Sequence, residues 1–139
     1  MSHRKLLTAL TLFNATANTL YLVRFFGIFP PKEVVYGYIP WFMSFTLPNI
    51  FIAMLSWFLA VSLLRKNYKS AALFGLIVSG ALILHALNGL SFGFYTGFLR
   101  TISLNATIEI VVYVFGLSLA AFYITQFRGV IRKALHQIS

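Results

Sequence analysis

The 139-residue chain contains only two acidic residues, and one of them, Glu109, lies inside a hydrophobic stretch. That stretch, SLNATIEIVVYVFGLSLAAFYIT (residues 103–125), is long and apolar enough to cross a membrane as a helix. A charged carboxylate at the centre of a bilayer costs roughly 3 kcal/mol or more, so intramembrane acids are commonly paired or functional. Glu109 is therefore the first candidate for chemistry, as an ion-pair partner, a proton carrier or the counter-charge of a cationic ligand.

Three other polar residues are candidate partners of this carboxylate, namely Arg24, His85 and Asn88. Pairing with Arg24 would cancel both charges and form a structural clasp, whereas pairing with His85 would allow proton exchange near neutral pH. Arg24 lies about a quarter turn off the polar face of its predicted helix, so its long side chain is also able to reach the membrane surface. Because Asn and His in spans often only hydrogen bond across helices, for about 0.6 to 2 kcal/mol, a structural network is favoured over a ligand or proton site.

The composition predicts the kind of fold that must position these residues. Hydrophobic residues make up 60% of the chain and charged residues 9%, against about 25% charged residues in a soluble domain. Four hydrophobic segments predict one all-α domain, an integral membrane four-helix bundle with spans at 6–29, 41–64, 71–94 and 103–127. Residues 128–139 read as an amphipathic helix lying on the cytoplasmic leaflet.

The distribution of basic residues predicts the orientation of these spans. Of the eleven Lys and Arg residues, eight lie in the N-terminal tail, the middle loop and the C-terminal tail, and three lie on the other side at Arg24, Lys32 and Arg100. The positive-inside rule therefore puts both termini in the cytoplasm. A basic face that meets anionic membrane lipids explains the net charge of +9 without a nucleic-acid partner.

This topology brings polar residues of all four spans to similar depths, roughly 6 to 12 Å below the outer boundary at about 1.5 Å of rise per residue. Pro48 predicts a kink near Ser44 in the second span, beside this level. Since polar side chains that face lipid would lack hydrogen-bond partners, we expect them to face inward. The predicted polar network, or ligand-binding site, comprises Asn18, Arg24, Asn49, His85, Asn88, Asn105, Glu109 and Tyr113.

Glycine recurs at every fourth position in GLSFGFYTG, at Gly89, Gly93 and Gly97. Small residues at this spacing let another helix approach closely. We expect these glycines to mark a helix contact, either within the bundle or between subunits of a homo-oligomer or a larger membrane complex.

Several chemistries lack the residues that they need. The chain has no cysteine, and no span offers two histidines at a ligand spacing, so neither a metal site nor a haem site is expected. Nucleophile-elbow, phosphate-loop and metalloprotease patterns are missing as well. We therefore expect no catalytic residues and no cofactor.

Several features resemble the EXPERA family, which includes sterol isomerases and the sigma-2 receptor. They are the run WFMSFTLPN at 41–49, a first span that ends in FPPKE, a histidine in the third span and four spans with cytoplasmic termini. The resemblance implies an intramembrane pocket for a sterol-like or amine ligand. The family's pocket carboxylates would fall near Arg24 and Asn49, which are not acids, so the resemblance does not carry the isomerase chemistry with it. The chain also resembles small four-span proteins of unknown role.

Three functions are compatible with these observations. The leading prediction is a non-enzymatic structural or accessory membrane protein whose polar network fixes the register of the helices. The alternative is a binding protein that holds a lipid-like or amphiphilic small molecule in an outer-leaflet pocket. The third is a proton- or ion-coupled transporter that works as a dimer and uses Glu109 as the carrier group.

Overall fold

A computed structural model describes residues 3–26, 32 and 35–136 of the chain. Five α-helices follow one another in this part of the chain, and it contains no strand. They are α1 (His3–Leu22), α2 (Tyr38–Ser44), α3 (Thr46–Leu64), α4 (Tyr68–Thr96) and α5 (Leu104–His136). Short 3₁₀ helices follow α1 at Val23–Phe26 and α4 at Phe98–Arg100.

Three of the helical segments in the described residues are long and apolar enough to cross a membrane: Tyr38–Leu64, Tyr68–Thr96 and Leu104–Val130. They indicate a membrane protein. The first predicted span, which contains α1, is not among them, because four threonines and two asparagines interrupt the apolar residues of this helix. Part of this polar surface, including Thr11 and Asn14, is buried against the other helices.

The break between α2 and α3 lies where Pro48 predicts it. Proline has no backbone N–H, so the carbonyl of Ser44 loses the donor that a continuous helix would provide. Phe45 forms the junction, with its N–H bonded to the carbonyl of Phe42 at 3.1 Å and its own carbonyl accepting from the N–H of Asn49 at 2.9 Å. The break separates α2 from the long apolar part of the same predicted span.

The helix boundaries otherwise follow the predicted spans, with two differences. The first helical segment ends with the 3₁₀ helix at Phe26, and residues 27–29 of the predicted span lie outside the described residues. Helix α5 continues without interruption to His136, so most of the predicted amphipathic tail is an extension of the fourth predicted span. The last three residues, 137–139, also lie outside the described part.

The helices pack in the order α1, α3, α4 and α5, each against the next. Large side chains of α1 and α5 also meet: Phe13 packs edge-on against Phe115 at 5.5 Å between ring centroids, and Tyr123 donates a hydrogen bond to Thr11 at 3.1 Å. We call the end at which α1 finishes and α5 begins the Glu109 end. The opposite end carries the 65–67 turn between α3 and α4.

Candidate functional site

The carboxylate of Glu109 is fully buried, and three donors converge on one of its oxygens. The hydroxyl groups of Tyr21 and Tyr38 donate hydrogen bonds to Oε1 at 2.8 and 3.3 Å. Nη1 of Arg24 forms an ion pair with the same oxygen at 3.3 Å, and its Nη2 donates to Oδ1 of Asn105 at 2.9 Å. We call these five residues the clasp: Tyr21, Arg24, Tyr38, Asn105 and Glu109. They join α1, α2 and α5 at the Glu109 end.

The position of Arg24 depends on the 3₁₀ helix that follows α1. In a 3₁₀ helix there are three residues per turn, so side chains three positions apart lie above one another. This tighter winding brings Arg24 toward the face of Tyr21, whereas a regular α-helix would leave it about 60°, or a sixth of a turn, away. Of the partners that the sequence left open for Glu109, the structure therefore brings Arg24 to the carboxylate and leaves His85 apart from it.

Aromatic rings shield the ion pair of the clasp from its surroundings. The guanidinium carbon of Arg24 lies 5.0 Å from the ring centroid of Phe42 and 5.5 Å from that of Tyr21, within the range of cation–π attraction. The ring of Tyr38 stacks on Phe98 at 4.6 Å. Only 11% of the Arg24 side chain is exposed, so the charges attract each other in a medium of low dielectric constant.

Tyr113 lies one turn beyond Glu109 on α5 and extends the polar residues away from the clasp. Its hydroxyl interacts electrostatically with the carboxylate. That hydroxyl and Oε2 of Glu109 are both buried, and neither has a hydrogen-bond partner among the described residues. The Tyr113 ring occupies the space that a side chain at Gly89 of α4 would need.

A cavity of about 100 Å³ adjoins the clasp, and residues of α1, α3, α4 and α5 line it. We call it the central cavity. Two of its polar residues are satisfied within the chain, since Nδ2 of Asn18 donates to Oδ1 of Asn14 at 2.8 Å and Nδ2 of Asn14 donates to Ser56 at 3.0 Å. Tyr21 belongs to the clasp and also lines the central cavity, so the two sites adjoin at this residue.

Two other polar residues of the central cavity, Asn49 and His85, are not satisfied in this way. Nδ2 of Asn49 and both ring nitrogens of His85 are buried and have no hydrogen-bond partner among the described residues. The His85 ring is instead held edge-on between aromatic rings, 5.2 Å from Phe45 and 5.9 Å from Tyr113 between centroids.

Each buried polar atom without a partner costs about 1–3 kcal/mol, which is a large fraction of a typical net stability of about 5–15 kcal/mol. The lining of the central cavity is mainly apolar, but it includes these unpartnered polar atoms, and buried water molecules typically bind to such groups. The central cavity is thus chemically suited to a small hydrogen-bonding group.

Asn88 lies apart from both the clasp and the central cavity. It is exposed and lines a lateral groove of about 190 Å³ on the surface formed by α3 and α4, together with Phe45, Pro48 and Phe51. His85, one turn earlier on α4, is buried. Asn88 was predicted to face inward with the other polar residues, but at its position α4 faces outward.

The three glycines of the GLSFGFYTG pattern have two different roles. Gly89 and Gly93 are buried, and a side chain at either position would overlap Tyr113 or Leu99 of the same chain. Packing within the chain therefore accounts for both. Gly97 has a φ of 71° and caps the end of α4, a left-handed conformation that favours glycine.

Sequence reasoning placed Tyr38 in a connecting segment and so missed its role in the clasp. Gly37, with φ of 82°, immediately precedes α2 and places Tyr38 in the first turn of this helix. Nothing in the sequence around Tyr38 signals that its hydroxyl reaches an acid 71 positions away. Tyr21 was recognisable, because it shares a helical face with Asn14 and Asn18.

The comparisons with known proteins leave the resemblance to the EXPERA family a prediction. No protein-family model, curated protein or solved structure matches this chain. Among the described residues, no three His, Cys, Asp or Glu side chains come together as a metal site. The clasp and the central cavity are therefore the features of this chain that bear on its function.

Proposed function

We propose that this chain is a small polytopic membrane protein with a structural or accessory role, in which the clasp ties α1 to α2 and α5. Helix α1 forms a fourth span beside the three strongly apolar segments and buries its polar residues against them. The four spans form a membrane-embedded bundle. In this role the clasp sets the register of the helices and so the shape of the surface that a partner subunit meets.

The observation that carries this proposal is the pairing of Glu109 with Arg24. The two charges cancel inside the chain, and two tyrosine hydroxyls bind the same carboxylate oxygen. Asn105 holds the other side of the guanidinium and also donates to the backbone carbonyl of Lys32 at 3.1 Å. A proton carrier would instead need a carboxylate that exchanges its partners during each cycle, so this arrangement supports a structural role over a transporter.

The exposed basic residues support an orientation with both termini in the cytoplasm. Lys5, Arg65, Lys66, Lys69 and Arg128 are exposed at or near the end opposite the Glu109 end. Cytoplasmic faces of membrane proteins carry such an excess of Lys and Arg. The Glu109 end, with Arg100 exposed near it, would then face the outside.

The absence of native cysteine allows a direct test of this orientation. Single-cysteine variants Lys69→Cys and Arg100→Cys place one thiol near each end, at exposed positions. With a membrane-impermeant maleimide, Arg100→Cys should react in intact cells, and Lys69→Cys only after permeabilisation. The reverse pattern would contradict the proposed orientation.

Native mass spectrometry of the gently released protein tests the accessory role. We expect a defined assembly, of several copies or with a second protein, whose composition is the same for the wild type and Glu109→Gln. A strictly monomeric protein would argue against the accessory role. A bound cationic molecule that is lost in Glu109→Gln would show instead that the carboxylate serves a ligand.

A further inference from the structure

The central cavity and the lateral groove are neighbours that share part of their walls. His85 and Ile52 line both of them. His85 is 8% exposed and Asn49 3% exposed. Both residues line the central cavity, His85 also lines the groove, and the unpartnered polar atoms of both residues are buried. We propose that the two spaces form one binding site for a neutral amphiphile with a hydroxyl head group. The hydroxyl binds at His85 and Asn49, and the alkyl chain lies in the groove.

The hydrogen-bonding capacity of the two polar residues favours a hydroxyl. A neutral imidazole offers one N–H donor and one acceptor nitrogen, and the side-chain amide of Asn49 offers a further donor through Nδ2. A hydroxyl group donates one hydrogen bond and accepts up to two. It is therefore able to donate to the acceptor nitrogen of His85 and to accept from Nδ2 of Asn49 at once.

The absence of charged residues from the cavity lining favours a neutral ligand. The residues that line the central cavity are polar uncharged or apolar. The nearby charges of Glu109 and Arg24 are paired with each other. An ion in this space would lose its hydration without gaining a counter-charge, which is strongly unfavourable in a membrane interior.

The lateral groove favours an amphiphile from the membrane over a small solute. Its walls are mainly apolar, and two of its residues, Phe51 and Leu84, are 58% and 61% exposed on the surface predicted to face lipid. The helix break at Phe45 and Pro48 borders the groove. The two volumes, about 100 and 190 Å³, together approach the roughly 300 Å³ at which ligand pockets begin.

Photolabelling in phosphatidylcholine nanodiscs tests this site directly. The probe is a twelve-carbon primary alcohol with a diazirine in the middle of its chain, and the comparison probes are its methyl ether and the matching alkane. We expect the alcohol to label residues 45–52 and 81–88 about three- to ten-fold more than the alkane, as one or two net hydrogen bonds predict. The methyl ether, which accepts but does not donate, should label less than the alcohol.

Variants identify the residues responsible. His85→Phe and Asn49→Leu should reduce labelling by the alcohol toward the level of the alkane. Tyr123→Phe removes a buried hydroxyl at Thr11. Because Tyr123 lines neither the cavity nor the groove, this variant should leave labelling unchanged. Size-exclusion chromatography and circular dichroism show whether each variant is folded.

Equal labelling of the wild type by alcohol and alkane would overturn the proposal, because the groove would then be ordinary lipid-facing surface. Unchanged labelling in a folded His85→Phe would overturn it as well. If both cavity variants fail to fold, the comparison of the three probes on the wild type still decides. The proposal does not depend on the structural role of the clasp, which Glu109→Gln tests separately.

Discussion

The clasp and the central cavity lie side by side, but they differ in whether charged groups are present and in how many hydrogen-bond donors the chain itself supplies. In the clasp, residues from three helical segments satisfy one oxygen of the Glu109 carboxylate. In the cavity, the two ring nitrogens of His85 have no partner among the described residues. The chain therefore pairs the two charges of the clasp with each other, whereas its described residues supply no partner for the imidazole in the cavity. For this reason we assign a structural role to the clasp and a binding role to the cavity.

The largest expected effect comes from removing one partner of the ion pair in the clasp, which leaves a buried polar group without its partner, as in the cavity. Arg24→Ala leaves a fully buried carboxylate without its counter-charge, and we expect it to lower the free energy of unfolding by about 3–5 kcal/mol. Glu109→Gln should cost less, because Arg24 is partly exposed and its long side chain is able to reach the membrane surface. SDS-induced unfolding in mixed micelles measures both changes. If Glu109→Gln destabilises more than Arg24→Ala, our account of the clasp is wrong.

The helical architecture was readable from the sequence because hydrophobicity and length decide which segments cross a membrane. The importance of Glu109 and the break beside Pro48 were readable for the same kind of reason, since a buried charge and a missing N–H are properties of single residues. The predicted helix boundaries largely agree with those of the structure. The continuation of α5 to His136 was not predicted, because an amphipathic pattern does not show whether a helix is continuous with the one before it.

The partners within the site were less predictable, because they depend on how helices rotate and pack. A 3₁₀ turn after α1 brings Arg24 to Glu109, and regular helical periodicity does not anticipate it. Asn88 faces outward although His85, three residues earlier, faces inward. The contact of Tyr38 with Glu109 depends on the path of the chain before α2, which no local pattern specifies.

A second prediction concerns Tyr113, whose ring lies against His85 and Gly89. Gly89→Ala places a methyl group where the ring of Tyr113 lies, so we expect a loss of about 1–3 kcal/mol from overpacking. Gly80, in the same helix, has open space around it and serves as the matched control. Gly80→Ala should be neutral or should stabilise by up to about 1 kcal/mol. Equal effects of the two substitutions in the same unfolding assay would mean that Gly89 does not position the ring.

A third prediction, with the smallest effect, uses the sign of a stability change to distinguish a buried polar group without a partner from one that is paired. Without added alcohol, His85→Phe removes two buried polar atoms that lack partners, at about 1–3 kcal/mol each. Because Phe is also larger than His and must be accommodated in a packed interior, we expect a net stabilisation of only about 1 kcal/mol. Tyr123→Phe removes a paired hydroxyl and should destabilise by a similar amount. Thermal unfolding in detergent measures both. A destabilising His85→Phe would indicate that the imidazole is already paired.

The most direct test of the clasp is a double-mutant cycle on its ion pair. The free energy of unfolding is measured for the wild type, Arg24→Ala, Glu109→Gln and the double variant. If the clasp is a charge pair that stabilises the helices, the double variant should be more stable than Arg24→Ala alone, because it no longer buries an unpaired carboxylate. If the two losses simply add, Arg24 and Glu109 do not act as a pair, and the structural role assigned to the clasp is contradicted.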